Sequence, residues 1–462
     1  MKKLLLLMLV FVFAKPAFSQ LDRSKLPQAG QASEIKIANY ESFELKNGLK
    51  VFVIENRKLP RVSFNLVLDV DPVLEGSNAG FVSVTGDLLR TGTKKRTKDQ
   101  LDKEIDLLGA TLSTSPTSIF ASGLERNKEK LFEIVSDIIL NSEFKQEELD
   151  KLKKQMLSGL ATAKDDPNSI SQRVSQVLMY GKDHPYGEIE TEETVNNITL
   201  DMCKSYYATN FRPNVAYLAI VGDINKATAK KLVEKYLTKW EKKEVPKNSY
   251  STPKAPVVNK VSLVDRANSV QSVISIAYPV ELQIGSDDAI KASVVNLILG
   301  GSATGRLFMN LREAKAYTYG AYSSMNPDRL IGSFSASTQV RTSVTDSAIT
   351  EIINEMKKIR SEKVSDDELQ KAKNLLSGSF TRSLESPETI ARFAINTARY
   401  NLPKDYYKNY LKNLNALTSD EILATAKKYI KPNNLNVIVV GNGEEVAKNI
   451  AKFSVSNKVD YF

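Results

Sequence analysis

Two segments of this chain repeat one pattern at a fixed spacing. Residues 206–236 read YYATNFRPNVAYLAIVGDINKATAKKLVEKY, and residues 427–453 read KKYIKPNNLNVIVVGNGEEVAKNIAKF. Pro213-Asn214 matches Pro432-Asn433 and Val221-Gly222 matches Val440-Gly441, all at an offset of 219. Each segment is a turn, an apolar β-rich run, a glycine-containing bend and an amphipathic helix. A second pair, EELDKLKKQMLSGLATAKDDPNSI from Glu147 and DELQKAKNLLSGSFTRSLESPETI from Asp367, recurs at nearly the same offset. Two agreements at one spacing indicate an internal duplication. The chain, 462 residues long, therefore reads as two homologous domains, 40–243 and 260–455. They are joined by a linker, 244–259, in which Pro246, Pro253 and Pro256 stand among Ser, Thr and Lys.

Within each half, strands come early and late with helices between. LKVFVIEN and RVSFNLVLDVD alternate apolar and polar residues, and TLSTSPTSIFASG has the form of a hairpin. Helical periodicity follows over Asn127–Leu140, Gln146–Lys164 and Ser169–Tyr180. This arrangement predicts an α+β fold, each half a mostly antiparallel sheet with helices packed on one face.

The scarce residues narrow the chemistry. Cys203 is the only cysteine and His184 the only histidine. No internal disulfide can form, and a zinc site built from imidazoles or thiolates of this one chain is not expected. Cys203 lies in a helical pattern and reads as a small buried apolar residue. The formal net charge of +10 comes from lysines interleaved with acids, as in TKKRTKDQLDKEIDLL. That pattern describes solvated helix faces, not a nucleic-acid stripe. At the N-terminus, Met1-Lys2-Lys3, the apolar run Leu4–Ala14 and the small-x-small Ala17-Phe18-Ser19 have the form of a signal peptide over residues 1–19. The run is too short to span a bilayer, so no membrane span is expected. The expected location is the periplasm, with release outside the cell as the alternative.

The stretch NAGFVSVTGDLLRTGT, Asn78–Thr93, reads as a short helix closed by a Gly-Thr turn. Together with FELKNGLKVFVIEN, LLGATLSTS, DHPYGEIETEETV, LGGSATGRLFMNLRE and AYTYGAYSS, it makes the chain resemble the pitrilysin/insulinase family of zinc metallopeptidases. The resemblance is to the short two-domain form related to mitochondrial processing peptidase, and it covers nearly all of the mature chain. Active members carry an inverted His-x-x-Glu-His motif on this helix. Residues i and i+4 share a helical face, so both imidazoles reach one zinc while the glutamate serves its bound water as base. Here the three places hold Ser83, Gly86 and Asp87, and Lys151–Lys164, where the family places a further glutamate, contains no acid. No metal is expected in this chain.

In the family's heterodimers one subunit holds zinc and its sister has lost it. The resemblance thus implies a zinc-bearing homologous partner, with zinc and no other cofactor expected there, and a peptide substrate between the two. Such sister subunits carry an Arg and a Tyr seven residues apart in the second domain, and Arg312 and Tyr319 stand at that spacing. A guanidinium and a phenol suit a carbonyl oxygen that turns negative as water attacks. Tyr317, two residues earlier, is expected to share the strand face of Tyr319. GGSATG from Gly300 lacks the lysine of a phosphate loop; it reads as a flexible loop at the chamber mouth by resemblance, or as a plain helix entry from the residues alone.

The expected function is a non-catalytic subunit of a periplasmic heterodimeric zinc metallopeptidase, binding peptide and completing the partner's site. The alternatives are a standalone peptide-binding or scaffolding protein, or a metallopeptidase with unorthodox ligands. Homodimerisation is a further alternative where no partner exists.

Overall fold

The runs AYLAIVG and NVIVVG are apolar at every position but Asn436, which demands a strand covered on both faces. In the computed structural model, which describes residues 37–462, both runs are central strands with every residue, apart from the terminal Gly222, buried. The signal-peptide segment, 1–19, lies outside the described residues.

The first sheet contains β1 (Glu41–Glu44), β2 (Lys50–Glu55), β3 (Arg61–Leu68), β4 (Thr111–Ser115), β5 (Ser118–Leu124) and β6 (Ala216–Gly222). The second contains β7 (Lys260–Asp265), β8 (Gln271–Val280), β9 (Thr318–Asn326), β10 (Gly332–Arg341), β11 (Asn436–Gly441) and β12 (Asp460–Tyr461). Their orders are β1-β2-β6-β3-β5-β4 and β12-β7-β11-β8-β10-β9. After the outermost member, the second order repeats the first strand for strand. Pairing is antiparallel except at β2–β6, β7–β11 and β12–β7. Pro213 opens the turn that leads into β6, and Pro432 lies in the turn before β11.

One face of each sheet is packed by its own helices. In the first half, Lys98–Leu107, Lys128–Asn141, Leu200–Asn210 and Lys226–Leu237 cover Phe64, Leu66 and their neighbours, with Cys203 fully buried. In the second, Asp288–Leu299, Thr345–Ser361 and Ser419–Tyr429 cover Ile274, Ile276 and Tyr278.

The other face is where the structure departs from helices on one face only: it takes a single helix from the opposite half. Helix Pro387–Arg399 sets Ile390, Phe393, Ala394 and Ile395 against Phe52, Ile54, Tyr217 and Val221 of the first sheet. Helix Pro167–Tyr180 lies reciprocally on β8 and β11, where the Ser175 hydroxyl donates to Ser275 at 3.3 Å and the Asn436 amide donates to the Leu178 carbonyl at 3.4 Å. Both crossing helices open with proline in the first turn, after Asp166 and Ser386, where a missing N–H costs nothing. Each large apolar side chain so covered adds about 1.5–3 kcal/mol. Arg329 reinforces the join, pairing with Asp69 and Asp71 at 2.8 Å each, and Arg399 adds a contact to Asp69 at 3.0 Å. Segment 244–259 contains no helix or strand and is tied to the first half, with the Tyr250 hydroxyl donating to the Pro72 carbonyl at 2.6 Å.

A lysine that caps a helix recurs in the two halves, half-buried in the first and buried in the second. Lys153 Nζ donates to the carbonyls of Asn196 and Ile198, both at 2.9 Å. Lys373 Nζ donates to those of Asn415 and Leu417 at 2.8 and 2.7 Å. Each ammonium closes the C-terminus of a short helix, a place where positive charge is favoured. Lys373→Met leaves two carbonyls without their donor in a buried setting, and is expected to cost about 1–3 kcal/mol. Lys153→Met is expected to cost less, because water reaches its half-buried site. Urea unfolding of both variants checks the order; equal costs would remove burial as the reason.

Candidate functional site

The helix Phe81–Leu88 presents two faces. Ser83 and Asp87, one turn apart, are exposed on one side, while Val84, Thr85, Gly86 and Leu88 are buried. The two exposed residues thus stand where a metal would be approached, but they supply one carboxylate between them. Zinc sites take three or four nitrogen, sulfur or oxygen ligands, and among the described residues no group of three or more His, Cys, Asp or Glu side chains converges on one point. Gly86, the place of a general base, is closed sterically. A Cβ there would lie 2.5 Å from both Cδ and N of Pro116 and 2.7 Å from the Ser115 carbonyl carbon. The Thr114 hydroxyl also donates to the Gly86 carbonyl at 2.8 Å, binding the helix to the β4–β5 turn. The residues present do not fit zinc.

Asp87 lines a polar cavity of about 710 Å3 whose charges are paired only in part. Asp102 pairs with Lys98 at 2.7 Å and Arg90 at 3.5 Å, and Glu148 pairs with Lys151 at 2.7 Å. Asp87 is exposed as a residue, but the walls of the cavity partly desolvate its carboxyl and hold it above its ordinary value.

Upstream of the helix lies a group that the sequence pattern did not single out. Glu75 accepts the N–H groups of Gly80 and Val82 at 3.0 and 2.9 Å, fixing the helix entry. Glu188 in turn accepts the N–H groups of Glu75 and Gly76. Burial pushes the Glu75 carboxyl up to about 7 against the pull of its two donors, with Glu188 and Glu190 adding to the rise. A carboxyl raised in the fold favours the folded state most when protonated. Its contribution therefore falls as pH climbs from the unfolded value of 4.5 through 7. Glu75→Gln keeps an oxygen for the donors and removes the charge. It is expected to stabilise the protein by up to about 3 kcal/mol near pH 8 and little near pH 4.5. Urea titrations across that range test this, and a variant as pH-dependent as the parent would assign the proton elsewhere.

Helix Phe81–Leu88 has its counterpart in Asp288–Leu299, and Arg312 and Tyr319 lie just beyond that helix, in the second half's equivalents of Lys98–Leu107 and β4. The short helix Arg306–Phe308 continues as a π-helical turn, Met309–Ala314, beside edge strand β9, as Lys98–Leu107 lies beside edge strand β4. The Tyr317 N–H donates to the Leu311 carbonyl at 2.8 Å, closing the bend that puts Arg312 and Tyr319 on its two arms. The Arg312 guanidinium lies over the Phe308 ring at 4.7 Å, and Phe308 packs against Tyr322 at 5.7 Å. Between Thr338 and Val340 the register with β9 slips, so that 318–321 oppose only 338–340. Such a bulge turns a side chain out of the sheet, and Tyr319 is 90% exposed. Tyr317 does not share that face: it precedes β9 and packs, partly buried, against the core. The bulge breaks the two-residue alternation on which the sequence expectation rested. Met309, Tyr322 and Leu375 are also exposed, and no sequence period marks them.

The glycine loop is a packed helix entry. The Gly300 carbonyl accepts the Ser323 N–H at 2.9 Å on the outer edge of β9, and a Cβ at Gly300 would stand 2.8 Å from Leu307 and Ser323. His184 is buried, with Nδ1 accepting the Tyr186 N–H at 3.1 Å and its ring stacked on Tyr180. It orders its loop.

Residues 197–376 match the family described as the peptidase M16 inactive domain. An uncharacterized zinc protease of Rickettsia felis is 24% identical over 423 residues, 87% of this chain and 98% of that protein. A protein of Helicobacter pylori named non-peptidase homolog YmxG is 23% identical over 453 residues, 96% of this chain and 99% of the other. Among solved structures, a peptidase M16 inactive domain from Pseudomonas fluorescens superposes with a TM-score of 0.79 at 22% identity, covering 87% of this chain and 98% of its own.

Proposed function

This chain is an inactive-type homologue of the M16 peptidases, the pitrilysin/insulinase-type family, and on that premise we propose that it is the non-catalytic subunit of a heterodimeric zinc metallopeptidase. It binds peptide with a zinc-bearing homologous partner and completes the partner's site through Arg312 and Tyr319. The periplasmic location rests on the residue pattern of 1–19.

The observation that carries this reading is the contrast between two places in the fold. Helix Phe81–Leu88, which would hold metal, is bare and sterically closed at Gly86. The turn Arg306–Ala314 and the start of β9 in the second half present a guanidinium and an outward phenol, with Met309, Tyr322 and Leu375 also exposed. Exposed aromatic and apolar groups around one cation have the composition of an interface core. A phenol held out in water by a bulge, at a cost in sheet pairing, has a use only when something meets it.

Purification of the native protein under mild conditions tests the assignment. A zinc-bearing homologue is expected to accompany it, with peptide cleavage by the pair and none by this chain alone. A chain that purifies without such a partner, and whose addition leaves the homologue's turnover unchanged, is instead a scaffolding protein with the peptidase fold.

A further inference from the structure

One place in the second half gathers cations with few acids to meet them. A cavity of about 420 Å3 lies where the linker meets the ends of two helices of the second half. Lys254, Arg360, Lys427, Lys428 and Lys431 line it against Glu281 alone. Lys428 is paired with Asp288 at 2.6 Å. The other four make no ion pair among the described residues, although Arg360 is held in place by donating to the Ile430 carbonyl at 2.9 Å.

Beside this cavity the chain exposes valines. Val257 lines its mouth and is 88% exposed, Val258 is 41% exposed and Val455, whose N–H reaches the Asn259 carbonyl, is 70% exposed. They are held firmly. The Asn434 amide donates to the carbonyls of Pro256 and Val257 at 3.0 and 2.9 Å, between ring-stiffened Pro253 and Pro256. A soluble polyanion would need the cations and have no use for the valines. An anionic bilayer surface offers phosphate at one depth and hydrocarbon just below it, which suits both.

We propose that this face docks on an anionic membrane surface, with a phosphate-bearing lipid headgroup in the basic cavity and Val257, Val258 and Val455 at the headgroup boundary. The cavity is within the size range of small-ligand sites. Among the described residues no helix is long and apolar enough to cross a membrane, so the contact is superficial. The inference is independent of the roles given to Arg312 and Tyr319.

Co-sedimentation of the purified protein with vesicles tests it, comparing phosphatidylcholine alone with phosphatidylcholine mixed with phosphatidylglycerol. Binding is expected on the mixed vesicles only, weakening as salt is raised. Each cation near such a surface adds about a factor of five, so K427E/K431E should lose roughly 25-fold or more. V258S/V455S, uncharged and outside the cavity lining, should also weaken vesicle binding while leaving any binding of inorganic phosphate unchanged. Circular dichroism confirms that each variant folds; should the double reversal fail, K254A and K427A read the same dependence singly. Equal binding to both vesicles, or binding that K427E/K431E or the single variants leave intact, overturns the proposal. Phosphate binding without vesicle binding, or vesicle or nucleic-acid binding that V258S/V455S does not alter, identifies a soluble-anion site and overturns it equally.

Discussion

A Tyr319→Phe subunit, combined with the proposed zinc-bearing partner, is expected to assemble normally and turn peptide over roughly 100- to 1000-fold more slowly. A metal in that partner would supply an activated water, and Tyr319 and Arg312 would supply further donors to the peptide oxygen. On the proposed reading, the phenol and the guanidinium would bind that oxygen more strongly in the transition state than in the bound peptide. The substitution is clean because Tyr319 is 90% exposed, so its hydroxyl is not part of the core. Arg312→Lys retains charge but loses the planar fork and its stacking on Phe308, and a similar loss is expected. Arg312→Ala is less informative, since it also strips alkyl packing. Turnover is measured alongside complex formation. Normal assembly with undiminished turnover in both Tyr319→Phe and Arg312→Lys would make the pair structural.

Rebuilding the metal motif as Ser83→His, Gly86→Glu and Asp87→His is expected to give an unstable protein without peptidase activity. Ser83 and Asp87 are exposed, so the two histidines alone should be tolerated. The glutamate is the obstacle. Its Cβ would meet Pro116 ring and backbone atoms at 2.5 Å, and neither can swing aside as a flexible side chain could. Overpacking of this kind costs about 1–3 kcal/mol or more even for a methyl group. A carboxylate driven into the same place adds several kcal/mol of desolvation. Gly86→Ala isolates the steric part in a denaturant titration. A triple variant that unfolds at the parent's midpoint and holds zinc tightly would show that the β4–β5 turn yields more readily than its geometry implies.

The sequence by itself determined the duplication, because a repeat of 219 residues survives in prolines, glycines and apolar runs whose roles are local. Pro213 and Pro432 mark turns, and AYLAIVG and NVIVVG are strands whatever surrounds them. The α+β class followed from the same local periods, and helices expected over Gln146–Lys164 and Ser169–Tyr180 run over Gln146–Ala163 and Pro167–Tyr180. The missing ligands at Ser83, Gly86 and Asp87 were legible too, since composition alone shows a single histidine. Only the tertiary structure decided the rest. That each half lends a helix to the other's sheet depends on which apolar faces meet, and an apolar stripe does not name its partner. That Gly86 is closed depends on Pro116, thirty residues away, brought back by the β4–β5 hairpin. That Tyr319 stands out while Tyr317 turns in depends on a register slip against β10. Glu75 and the basic cavity are likewise products of assembly, because burial and uncompensated charge arise from neighbours distant in the chain.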